Sequence, residues 1–141
     1  MAVGSPRIEV IFSKTLVAAL FLFNISVLAQ TNHPKPQPKC IELHMSDTTY
    51  QEILGGAPET VSMQSGLVVL APNKSVGKHN TKNYEEAVIV FSGTGELRIP
   101  DGQTLKLVPN TVAYCPPFTE HDVFNTGSTF LRYLYVACRP K

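Results

Sequence analysis

The chain has 141 residues, 43% of them hydrophobic and 16% charged, with a formal net charge of +1. That is room for one globular domain of ordinary size, and the composition excludes disordered and fibrous classes. A near-neutral chain with no basic block or aromatic–basic stripe argues against nucleic acid as a partner.

Residues 1–29 differ from the rest. Arg7 and Lys14 precede the uncharged apolar run "TLVAALFLFNISVLA", and Val27-Leu28-Ala29 puts small residues at the −3 and −1 positions of a cleavage site. This order predicts a secretory signal peptide cut after Ala29. The run of 15 residues falls short of the ~20 a bilayer-spanning helix needs, and Asn24 and Ser26 interrupt it. Cleavage removes Arg7, Glu9 and Lys14, which leaves the two signs balanced. The expected location is secreted or periplasmic, with no membrane association of the mature chain.

Residues 30–39, "QTNHPKPQPK", alternate proline with polar residues and predict an extended linker without a core. The predicted domain runs from 40 to 141. Export implies an oxidising compartment, which bears on Cys40, Cys115 and Cys138. Two readings stand: Cys40 and Cys138 pair and staple the ends of the domain, or all three are buried thiols. No CxxC spacing supports zinc bound through cysteine.

From Cys40 onward the pattern is β. "CIELHMS" alternates as a strand, with His44 in a structural position; "YQEIL" reads as a short helical turn ended by Gly55-Gly56. "TVSMQSGLVVLAP" is a strand with a bulge near Gly66. "AVIVFSGTGELRIP" places two β-rich runs around Ser92-Gly93-Thr94-Gly95, which predicts a tight hairpin. "DGQTLKLVP" supplies a turn and a strand, "TVAYCPP" a short strand stopped by prolines. "HDVFNTG" and "TFLRYLYVA" are the last strands, with Gly127 between them. Short strands separated by Gly, Pro and Asn turns predict an all-β sandwich or barrel. No amphipathic stretch outside the leader supports a parallel α/β fold.

Chemistry concentrates in three places. His79 and Thr81 share a strand face, Glu86 opens the next strand, and His121 opens "HDVFN" after "PPFTE". If the strands wrap around one cavity, two imidazoles and one carboxylate meet. That facial set suits Fe(II), Mn(II), Ni(II) or Zn(II) and leaves coordination positions open for water or substrate. The alternative is a polar barrel core without metal, although an unpaired buried Glu86 would then be costly. Serine-hydrolase elbows, phosphate loops and HExxH are absent.

Arranged in this way, the sequence resembles the cupin superfamily, whose motifs are G-x5-HxH-x3–4-E-x6-G and G-x5-PxG-x2-H-x3-N. Here His79, Thr81, Glu86 and Gly93 keep the first spacing, and Pro116, His121 and Asn125 keep the second. Thr81 stands where a second metal histidine is expected, and Asn110 and Phe118 replace two glycines. The leading glycine is missing from its place, with Gly77 nearby. The resemblance covers about residues 60–137 and is strongest to small single-domain microbial members. It implies a small antiparallel β-barrel or jelly roll (a double-stranded β-helix) and a metal held by His79, Glu86 and His121. It implies Glu86 as a catalytic acid or base, and Thr81, Tyr114, Phe118 and Asn125 around the pocket. Three functions are consistent with it: a metal-dependent oxygenase, isomerase or lyase acting on a small molecule; a non-catalytic small-ligand-binding barrel; or a structural or storage protein. Strands with two apolar faces are consistent with a homodimer.

Overall fold

The computed structural model describes residues 35–46 and 49–140. The predicted signal peptide at 1–29 and the first half of the predicted linker lie outside the described residues. Residues 35–39 are irregular and exposed, and Lys39 pairs with Glu59.

Nine strands make up the described domain, and no helix occurs among the described residues. They are β1 (Tyr50–Gly55), β2 (Gln64–Leu70), β3 (His79–Asn80), β4 (Glu85–Ser92), β5 (Gly95–Arg98), β6 (Thr104–Leu107), β7 (Val112–Cys115), β8 (Glu120–Asn125) and β9 (Leu131–Cys138). They form a five-stranded sheet in the order β1-β2-β9-β4-β7 and a four-stranded sheet in the order β3-β8-β5-β6. Every ladder is antiparallel. The predicted barrel is not closed: among the described residues no strand pair joins the two sheets. The core lies between them. Val88 and Val90 of β4, Leu131 of β9 and Leu97, Leu107 and Val123 of the smaller sheet are almost inaccessible to solvent. Burial of each such side chain contributes roughly 1.5–3 kcal/mol, which is what holds the sheets face to face.

Four local expectations are corrected. "YQEIL" is not a helical turn but strand β1, paired along β2 from Tyr50↔Val68 to Gly55↔Gln64. A five-residue run rich in β-capable side chains is decided by the edge it can reach, not by its own propensity. The bulge predicted near Gly66 sits on the facing strand instead: the register slips between Glu52 and Leu54, so Ile53 is the extra residue. "CIELHMS" keeps its alternate burial but is not a strand. The Gln51 side chain bonds it instead, accepting from the His44 N–H (2.9 Å) and donating to the Glu42 carbonyl (2.9 Å).

The fourth correction concerns Ser92–Gly95. It is a turn, but not a hairpin: β4 pairs with β7 and β9, whereas β5 pairs with β6 and β8. The turn carries the chain from one sheet to the other. Gly93 has φ +85°, and a Cβ there would collide with the Phe130 carbonyl. Glycine is required both for the conformation and for that approach.

Neither reading of the cysteines holds as stated. All three thiols are free; Cys115 is buried, Cys138 half-buried and Cys40 exposed. The Cys138 thiol lies 3.7 Å from Glu85 Oε1.

Candidate metal centre and ligand cavity

β3 is only two residues long, and its whole pairing is His79↔His121 and Asn80↔Glu120 against β8. Directly opposed residues project to the same face. The two imidazoles therefore meet, with ring centroids 4.3 Å apart and planes tilted by 59°. Glu86 arrives from the other sheet, where it opposes Cys115 of β7 and Ala137 of β9. Its Oε1 lies 3.6 Å from His121 Nε2. One donor atom from each of His79, Glu86 and His121 falls within 4.8 Å of the others. The set thus spans the gap between the two sheets.

Backbone carbonyls orient both rings. His79 Nδ1 is 2.9 Å from the Gly77 carbonyl, and His121 Nδ1 is 3.4 Å from that of Thr119. An Nδ1–H donated to a carbonyl leaves Nε2 as the basic nitrogen, which is how outer groups prepare a metal-binding histidine. Gly77, displaced from the motif position, supplies one of these carbonyls at φ +87°.

His121 Nε2 is buried and has no hydrogen-bond partner. Such a group is costly unless a partner reaches it. Burial of the ring opposes its protonation, but the Cys115 thiol and then the Glu86 carboxylate beside it outweigh that and push His121 up to about 10. Without an ion, the centre is held by an imidazolium facing a carboxylate. Donors bound to one ion at about 2.0–2.2 Å lie up to roughly 4.4 Å apart, so small side-chain rotations bring this set onto a single cation. The residues present therefore fit a divalent metal.

Thr81 does not act as a substitute donor. It is 6% exposed, and its hydroxyl donates to the Pro116 carbonyl (2.9 Å) and accepts from the Thr119 N–H (2.9 Å). The Lys82 carbonyl accepts the Phe118 N–H in the same place (2.6 Å). Together these bonds tie the β3–β4 loop to the β7–β8 loop, and so hold His79 against His121.

Beside the centre lies a cavity of about 830 Å³. Of the four predicted pocket residues only Thr81 borders it. Tyr114 projects from the outer face of edge strand β7, 55% exposed, and its hydroxyl donates to Glu85 Oε2 (3.2 Å). Phe118 is 74% exposed and does not border the cavity. At φ +60° it adopts the left-handed backbone expected of the glycine it replaces, as Asn110 does at +66°. Asn125 is fully buried and structural. Its Nδ2 donates to the Leu70 and Thr129 carbonyls (2.8 Å each), and its Oδ1 accepts the Gly127 N–H (2.9 Å). The lining that residue-level reading missed includes Tyr50, Gln64, Lys74 and Tyr84. Tyr50 was hidden by the misread helical turn; Lys74 and Tyr84 sit in loops, where alternation says nothing about facing.

The cupin domain family matches residues 66–137, just over half of the chain. No curated protein matches it. Among solved structures, a cupin 2 conserved barrel domain protein from Salinispora arenicola superposes with a TM-score of 0.58 at 21% identity, over 72% of this chain and 89% of the other. The Cupin_2 domain of an XRE family transcriptional regulator from Enterobacter cloacae gives 0.57 at 21%, over 65% and 96%. The Cnp3 cupin domain of Schizosaccharomyces pombe gives 0.57 at 15%, over 64% of this chain and 60% of the other. At such identities these likenesses speak to the fold alone. With the family match and two sheets that frame a His–Glu–His group, the chain belongs to the cupin family.

Proposed function

We propose that this is an exported cupin that binds one divalent transition metal (Fe, Mn, Ni or Zn) through His79, Glu86 and His121. In this reading it acts on a small molecule held in the adjoining cavity. The observation that carries this is the buried Nε2 of His121, which makes no hydrogen bond and faces Glu86 at 3.6 Å, within a three-donor group. Three protein donors leave open positions, where a bound metal supplies Lewis-acid polarisation or lowers the pKa of a water. His79, His121 and Glu86 would hold the ion, the two histidines through a ring nitrogen and Glu86 through its carboxylate, and that carboxylate would accept or return a proton at the bound molecule. The apolar cavity wall displaces water and orients that molecule. An oxygenase, isomerase or lyase type of reaction is consistent with this arrangement.

Export is supported by the pattern of residues 1–29. No helix among the described residues is long and apolar enough to cross a membrane.

A non-catalytic binding module is the second reading, favoured by Thr81, which brings no fourth donor and is engaged with backbone. Chelation separates the two. If the protein is an enzyme, turnover in a substrate screen disappears with the metal, returns on reloading and is lost in His79→Ala. Ligand affinity that survives chelation, with no turnover in either state, supports the binding module instead.

A further inference from the structure

What the cavity takes can be read from its lining, provided that it is the small-molecule site argued above. Its charges are unbalanced: among the described residues its lining carries two lysines, Lys74 and Lys82, and one carboxylate, Glu86. Glu86 faces His121, and neither lysine has an ion pair among the described residues. The chain as a whole carries only +1, so this excess is local to the opening.

Both lysines are exposed at the cavity and held in place by their backbones. The Lys82 N–H donates to Asn80 Oδ1 (2.7 Å), and its carbonyl accepts from Phe118 (2.6 Å) at φ +53°. The Lys74 N–H donates to the Ala71 carbonyl (3.2 Å), and its own carbonyl accepts from Asn125 (2.9 Å). The interior differs from the opening: Val68, Leu70, Val123 and Ala137 supply an apolar wall.

Tyr133 breaks that wall. It is 3% exposed, it borders the cavity, and its hydroxyl appears in no hydrogen bond among the described residues. The hydroxyl oxygen is not among the buried polar atoms that lack a partner, so it is open to the cavity, where a bound molecule can offer it an acceptor. Carboxylate is an acceptor-only group that answers both a phenol and a lysine. The volume falls within the range of about 300–1,000 Å³ usual for small-molecule sites, larger than a bare carboxylate needs.

We propose that the cavity binds a small organic anion with an apolar, ring-sized body. The body lies on the aliphatic wall, an oxygen accepts the Tyr133 hydroxyl, and Lys74 and Lys82 draw the negative charge to the opening. A cation would meet the two lysines on entry, and a neutral ligand would gain nothing from them.

The test compares trans-cinnamate with cinnamamide, which keeps the ring and loses the charge, by titration calorimetry at pH 7. It uses the full chain, once stripped of metal and once loaded with Zn2+, with metal content measured in each sample. Cinnamate is expected to bind at least tenfold tighter than cinnamamide, including in the stripped protein. Lys74→Met with Lys82→Met removes that preference, and Tyr133→Phe weakens cinnamate threefold or more. Equal affinity for the two probes, binding of neither, or an undiminished preference in the double variant overturns the proposal. A protein that prefers cinnamate but takes up no metal would sink the metal reading and leave this one standing. Metal uptake without the preference would do the reverse.

Discussion

His79 and His121 face each other across the shortest ladder between the described strands, with ring centroids 4.3 Å apart. Two positions 42 residues apart in sequence become nearest neighbours because a two-residue strand has nothing to pair with except the start of β8. The site therefore depends on that ladder, and the ladder on the loops that close it.

Thr81 is the first place to test that dependence. Thr81→Val keeps the shape and removes a hydroxyl that donates to Pro116 and bonds the Thr119 N–H. Leaving those backbone groups unpaired is expected to cost about 1–3 kcal/mol. A denaturant titration should show it as a lower midpoint with an unchanged slope. Metal affinity should also fall, because His79 loses its register. A variant as stable as the parent would remove the loop-clip role.

Phe118 tests the opposite sign. An exposed aromatic residue at φ +60° is strained and makes up for little of that strain by burial. Phe118→Gly should stabilise the fold by about 1 kcal/mol, after the entropic cost of glycine in the unfolded chain. Destabilisation in the same denaturant titration would mean that the ring makes contacts that the structure does not show.

Protons should compete with the metal. The folded protein holds His121 at about 10, above its ordinary 6.5, so the ring carries a proton at pH 7. A metal needs the neutral imidazole, so loading must release that proton. Apparent affinity should rise about tenfold per pH unit between 7 and 9 and level off above 10. Calorimetry in two buffers of different ionisation enthalpy should count about one proton released at pH 7. An affinity independent of pH over that range would contradict the imidazolium–carboxylate pair.

Much of this was legible before the fold was known, for a physical reason. Strand alternation and motif spacing depend on residue identity and counting, and these placed His79, Glu86 and His121 in one group. What counting leaves open is the partner. Ser92–Gly95 advertises positive φ, yet nothing local says whether the next strand folds back or crosses to a second sheet. Tyr114 sits beside Cys115, and alternation alone does not tell which of them faces inward; the structure buries the thiol and exposes the phenol. Counting places Thr81 at the pocket but does not show that it clips two loops, because its backbone partners come from residues 35 and 38 positions away.

The most direct measurement is the metal content of the purified protein and of His121→Ala, by elemental analysis after dialysis against metal-free buffer. The account predicts close to one divalent transition metal per chain in the first and essentially none in the second. No metal in the parent after loading, or equal metal in both, would contradict it.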